Sequence, residues 1–99
     1  MQLPEKETME RIAALFKAFG DPTRVHILTL LSQGERCVSQ IAEGVGLSQS
    51  AISHQLQVLK QMGLIRYRRE GKNLLYRLAD DHVRSILETG MEHAGCTEE

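Results

Sequence analysis

The hydrophobic period of this chain changes at Gly63, and that change limits the folds open to it. Up to Met62 the apolar residues recur every three or four positions, whereas from Ile65 to Leu78 they alternate, so helices must precede a β-hairpin. Val38, Ile41, Ala42 and Val45 mark a short helix that Gly46 closes. Ser48 then caps a longer one running to about Met62, with Ile52, Leu56 and Leu59, joined by Ala51 and Val58, pointing inward. Ile65–Arg69 and Asn73–Leu78 flank Glu70-Gly71-Lys72, the signature of a hairpin with a glycine turn. Upstream, Met9, Ile12, Ala13, Phe16 and Phe19 give an amphipathic helix over residues 5–19, stopped by Gly20. Asp21-Pro22 starts the next helix, as cap and first helical residue, with Val25, Leu28 and Leu31 forming a stripe that Ile27 and Leu30 widen. A last helix begins at Asp80 or Asp81 and runs to about Ala94.

The order helix, helix, helix, helix, hairpin, helix is that of a mainly α winged helix-turn-helix. With 99 residues, the chain is expected to form one domain: residues 38–62 are the helix-turn-helix and 65–78 the wing. So short a chain builds a modest core, and a partner subunit would add to it.

A net charge of -1 is unusual for a protein that binds nucleic acid, but the charge is segregated. From Lys60 to Arg77 six basic residues face only Glu70, a local +5, and from Asp80 to Glu99 six acidic residues face only Arg84, a local -5. Local sign governs attraction to a phosphate backbone. The helix after Gly46 carries Ser48, Gln49, Ser50, Ser53, His54 and Gln55 toward its N-terminal end, side chains suited to base edges and phosphates in a major groove. Arg68, Arg69 and Lys72 on the hairpin are positioned to hold the DNA backbone or reach a minor groove. The expected partner is double-stranded operator DNA. His54 is open to a second reading, a hydrogen bond within the helix-turn-helix. No apolar run approaches a membrane span and the first residues carry no apolar stretch like that of a signal peptide, so the expected compartment is the cytoplasm.

The last helix bears Asp80, His82, His93 and Cys96, all potential zinc ligands. Eleven residues return His93 to nearly the helix face of His82 but place it roughly 16 Å along the axis, so one helix cannot bring both to one metal. Two antiparallel copies can. In a twofold-related pair, facing residues have position numbers of constant sum, and His82 with His93 and Asp80 with Cys96 agree within one. Asp80 and His82 of one subunit are therefore expected to meet His93 and Cys96 of the other, in two equivalent sites. The donor set of two nitrogens, one oxygen and one sulfur suits Zn2+, with Co2+, Ni2+ or Cd2+ as other candidates.

Phe19-Gly-Asp-Pro-Thr-Arg24, Val38-Ser-Gln-Ile-Ala42, Leu47-Ser-Gln-Ser50, Ser53-His-Gln-Leu56, Gly63-Leu-Ile65, Arg69-Glu-Gly-Lys72 and Tyr76-Arg-Leu78 together resemble the ArsR/SmtB family of metal-responsive repressors over nearly the whole chain. The resemblance is to zinc- and cobalt-sensing members with a site on the C-terminal helix. It implies a homodimer joined through the first and last helices, here 5–19 and 80–94, and a repressor that releases DNA when the metal binds. Those members carry Asp-x-His, then His, then a further ligand three residues on, usually His or Glu; Cys96 in that place is a departure. The resemblance further implies that the outer nitrogen of the histidine matching His93 bonds a carbonyl just after the reading helix, here that of Gly63. Relatives that sense arsenic, lead or cadmium have Cys-x-Cys where this chain has Cys37-Val38-Ser39, so Cys37 reads as a residual or packing thiol and not as a ligand. The alternative mechanism is a thiol-redox or persulfide-sensing repressor using Cys96 and, if the fold brings it near, Cys37; Thr29 stands where persulfide-sensing relatives place a cysteine. Catalysis by Cys96 and His93 lacks an orienting third group and an oxyanion-hole motif, so the chain is read as no enzyme.

Overall fold

Five helices and one hairpin follow each other along the chain: α1 (Lys6–Ala18), α2 (Pro22–Ser32), α3 (Val38–Val45), α4 (Gln49–Gln61), β1 (Ile65–Glu70), β2 (Asn73–Leu78) and α5 (Asp81–His93). A computed structural model describes residues 2–95. The boundaries follow local chemistry. The Asp21 carboxylate accepts from Arg24 N–H at 3.0 Å, Pro22 occupies the first turn of α2, and Ser48 Oγ accepts from Ala51 N–H at 3.1 Å at the start of α4, each satisfying an otherwise orphaned helix donor. Arg24 also donates to the carbonyls of Ala18 and Lys17, tying the end of α1 to the start of α2.

The turn between α3 and α4 depends on Gly46, whose φ of +83° lies in the left-handed region that an L side chain enters at a cost. A Cβ there would meet nothing within 4 Å, so strain is the whole effect. Gly46→Ala is expected to lower stability by about 1–2 kcal/mol, and Gly46→Asn by less; urea titration of both variants checks the order. Gly44 acts through space instead. A Cβ on it would lie 2.7 Å from Leu30 Cδ1, so a larger residue there would push the end of the Leu30 side chain aside.

The hairpin pairs Ile65 with Leu78 through Glu70 with Asn73, leaving Gly71-Lys72 as a two-residue turn. Gly71 alone has positive φ, the pattern of a type II′ turn. Strand β1 thus runs one residue further than expected, taking in Glu70. Arg36 bridges Tyr76 in both directions, N–H to carbonyl at 3.1 Å and 2.8 Å, adding a one-residue third strand that anchors the hairpin to the α2–α3 loop. Arg84 of α5 donates to the Ser32 carbonyl at the end of α2.

The core is Ile27, Leu28 and Leu31 of α2, Ile41 and Ala42 of α3, Ile52, Leu56 and Leu59 of α4, Leu64, Ile65 and Leu78, Val83 and Leu87 of α5, and Ala18. Of the residues of α4 expected to point inward, Val58 is only half-buried and outside the core, and Ala51 does not reach it at all. Ala51 is exposed, since a residue so small fits either face of α4. Tyr67 is 43% exposed and lies against Tyr76, ring centroids 5.6 Å apart, with Lys60 Nζ 4.9 Å from its ring. Helix α1 is amphipathic as expected, but its stripe faces outward in the single chain: Met9, Ile12 and Phe16 are 45%, 42% and 57% exposed. Phe16, Phe19 and Val25 form one wall of an open apolar groove whose other wall is α5, from Ser85 to Ala94. Among the described residues no helix is long and apolar enough to cross a membrane.

Candidate functional site

Burial of Ile52, Leu56 and Leu59 fixes the rotation of α4 and so decides which side chains it shows outward. Gln49, Ser50, Ser53 and His54 are exposed, on the face opposite that stripe or at the free N-terminal end. Ser48 is exposed as well, with its hydroxyl engaged as the cap. Gln55 differs. It stands three residues after Ile52 and four before Leu59, is only partly exposed, and its Oε1 is buried without a hydrogen-bond partner. The exposed face continues instead through Gln57, a residue that sequence reasoning left out although it lies four positions after Ser53.

The hairpin divides its charges between two faces. Cross-strand pairing places Arg66, Arg68 and Glu70 on the face of Arg77, and Arg69 on the face of Tyr67 and Tyr76. Arg68 is not a solitary cation. Its Nε donates to both oxygens of Glu35, at 3.2 Å and 3.1 Å, and Nη2 donates to Oε1 at 2.9 Å. Arg77 Nη1 lies 3.9 Å from Glu35 Oε2, and Glu70 lies 3.6 Å from Arg68. The hydrogen bond and charge of Arg68 hold the Glu35 carboxyl below the usual carboxylate range, and Glu35 in turn raises the Arg68 guanidinium. Among the described residues no ion pair engages Arg66, Arg69 or Lys72, and all three are exposed. Arg66, Arg77 and Lys60 also line a shallow groove with Gly63 and Tyr67. Sequence reasoning missed Glu35, which lies 33 positions from Arg68 in a loop with no local signal of that contact.

On α5, Asp80 caps the helix: its Oδ1 accepts from the N–H groups of His82 and Val83 at 3.0 Å and 3.2 Å. The bond from Val83, with the charge of His82 beside it, holds the Asp80 carboxyl below its usual range. His82 Nδ1 sits 3.7 Å from Asp80 Oδ1 on a side chain that is 94% exposed. His93 is exposed at the far end of α5. Asp80 and His82 are thus brought together and His93 is kept apart, as the helix geometry requires. Among the described residues no three His, Cys, Asp or Glu side chains gather into a metal cluster. Cys96 lies outside the described residues. Cys37 precedes the first turn of α3, half-buried, with Sγ 3.2 Å from Ser39 Oγ. That contact lowers the thiol below its usual range, and the cysteine stands at the N-cap of α3 outside the buried core.

Residues 21–67, from the cap of α2 into β1, match the model of the bacterial regulatory protein arsR family. The chain is 37% identical to the HTH-type transcriptional regulator NmtR of Mycobacterium tuberculosis over 90 residues, 91% of this chain and 75% of that protein. It is 38% identical to a transcriptional repressor SmtB homolog of Synechocystis, over 85% of this chain and 64% of that protein, so it spans just under two thirds of that relative's length. Among solved structures, the homodimeric winged helix-turn-helix DNA-binding domain of Mb0332 from Mycobacterium bovis superposes with a TM-score of 0.85 at 33% identity, covering 100% of this chain and 94% of that one. Fold and sequence agree, and the chain belongs to the ArsR family of bacterial regulatory proteins.

Proposed function

We propose that this chain is a metal-responsive transcriptional repressor that binds operator DNA as a homodimer when metal-free and is released when zinc, or a similar transition metal, binds between its subunits. The observation that carries the reading is the layout of α5. Asp80 and His82 lie side by side at one exposed end, and His93 lies at the other, beside an apolar groove that α1 and α5 form together. Two copies packed through α1 and α5 would cover Met9, Ile12 and Phe16 and bring each Asp80-His82 pair to the partner's far end, where His93 and Cys96 complete four donors.

The residues fit a metal. Asp80 uses Oδ1 for the cap and keeps Oδ2 for a ligand, and His82 is held near it in open solvent. Bound zinc supplies a coordinate link between the two subunits. The cap fixes Asp80 at the start of α5, and Arg84 fixes that end of α5 against α2, so a change in how the two α5 helices pack is passed to the helices that carry α4. Ser50, Ser53, His54 and Gln49 read base edges, and Ser48 and the first amide groups of α4 hold a phosphate. Arg69 and Lys72 hold the backbone from the wing. Gln55, turned toward the core, serves the position of α4 instead of contacting bases. The cytoplasm is the compartment in which such a repressor meets DNA. Similarity to a cadmium resistance transcriptional regulatory protein CadC homolog of Staphylococcus aureus, 40% identical over 89% of this chain, and to the AntR antimony-specific transcriptional repressor, with a TM-score of 0.84, also favours metal regulation over a thiol switch.

The DNA-binding half is tested with a duplex bearing the operator, selected by the protein from a random pool. Log affinity is expected to fall linearly with log salt, about 0.9 for each phosphate neutralised, and Arg69→Gln with Lys72→Gln to flatten that slope. Absence of salt-dependent DNA binding in the wild type would favour a winged helix that binds only proteins.

A further inference from the structure

The Glu35 carboxylate takes the whole side-on fork of Arg68, three donor contacts between 2.9 and 3.2 Å, and has Arg77 within 3.9 Å. A guanidinium offers the same fork to a phosphate. Arg66 and Arg77 stand directly opposite each other on that hairpin face, an unfavourable pairing of like charges unless an anion is near. Glu35 is that anion, and it comes from the α2–α3 loop, which Arg36 pins to β2. Two of the three arginines on this face, Arg68 and Arg77, therefore meet carboxylates within the molecule, Glu35 and Glu70, while Arg66 has no ion pair among the described residues.

We propose that Glu35 occupies, in the DNA-free protein, the place on Arg68 and Arg77 that a DNA backbone phosphate takes on binding, so that the wing is charge-masked until a duplex displaces the carboxylate. The inference rests on the DNA-binding reading above. Exchange of one anion for another makes this contact nearly neutral in energy, so the wing adds register without adding non-specific affinity. It also makes Glu35 a specificity-determining residue: a protein without it would hold any duplex more tightly.

The test compares wild type, Glu35→Gln and Arg68→Gln, and the double variant, by fluorescence anisotropy on a non-operator duplex between 50 and 200 mM salt. In wild type the displaced Glu35 carboxylate takes up a cation as the phosphate seats, which offsets one released counterion; Glu35→Gln removes that uptake and is expected to steepen the salt slope by about 1 for each wing and to tighten binding at low salt by about threefold for each wing. Glu35→Ser, which removes the charge with a shorter side chain, is expected to behave alike. In the Arg68→Gln background the substitution at Glu35 is expected to leave the slope unchanged. Weaker binding by Glu35→Gln would overturn the proposal and make Glu35 a residue that aims Arg68 at DNA. A steeper slope that persists without Arg68 would overturn it too, as a general charge effect. If wild type itself shows no salt-dependent binding to any duplex, the DNA-binding reading fails and takes this inference with it; if wild type binds and Glu35→Gln does not differ, only the mask is wrong.

Discussion

Replacing His93 by alanine is expected to leave DNA binding by the metal-free protein within about twofold of wild type and to abolish its weakening by zinc. His93 is exposed near the end of α5 and packs into no core, so its removal takes nothing from the fold. In the proposed site, which no single chain completes, it is one of the ligands. Loss of a residue that merely supports a ligand costs roughly 10–100-fold in metal affinity, and loss of a ligand is expected to cost about 100-fold or more. His82→Ala should match it, since His82 at 94% exposure also has little structural role. Asp80→Ala should differ from both, because Asp80 caps α5 through two amide donors and its loss adds about 1 kcal/mol of instability. Zinc titrations with a competing chelator, paired with anisotropy on operator DNA, separate the cases. Zinc release that survives in both histidine variants would remove α5 from the account.

The second large effect is on stability. Leu56 is 1% exposed on the inner face of α4, among Ile27, Ile41, Ile52 and Leu59 in one core cluster. Leu56→Ala is expected to lower stability by about 3 kcal/mol, the transfer energy of the lost atoms plus that of the cavity they leave. A protein of this length has few kilocalories to lose, and the damaged element is the one that sets the outward face of Ser50, Ser53 and His54. Gln57→Ala, one residue on and exposed, is the control and should change stability by less than about 0.5 kcal/mol. Urea titrations of both must be run at one protein concentration, because the stability of a dimer depends on it. A loss below about 1 kcal/mol for Leu56→Ala would mean that α4 is not seated as described.

What the sequence made legible was set by local rules. The elements from α2 to β2 lay within a residue or two of their expected ends because each is announced by its own chemistry: Asp21-Pro22 for α2, Gly46 and Ser48 for the turn, and the shift to alternation for the hairpin. Side-chain direction was less legible where the residue type fits two environments. Ala51 satisfies either face of a helix, and Tyr67, amphipathic, lies on a hairpin face that Lys60 covers only in part. Gln55 was grouped with polar neighbours by type, while its spacing from Ile52 and Leu59 turns it inward. The stripe of α1 was legible as a pattern, but a pattern does not say whether its cover is the same chain or another. Glu35 was not legible at all, since its partner Arg68 is brought to it only when the hairpin folds back on the α2–α3 loop. On α5 the helix period alone separated His82 from His93, which is why that half of the candidate site could be reasoned out from spacing.

If the last helices of a dimer control the reading heads, metal and DNA must oppose each other by linkage. Operator affinity of the wild-type protein should be measured by anisotropy with a chelator and again with saturating zinc, at fixed salt and pH. Zinc is expected to weaken DNA binding by roughly 5- to 150-fold, and operator DNA to weaken zinc binding by the same factor. Equal operator affinity with and without saturating zinc would contradict that coupling.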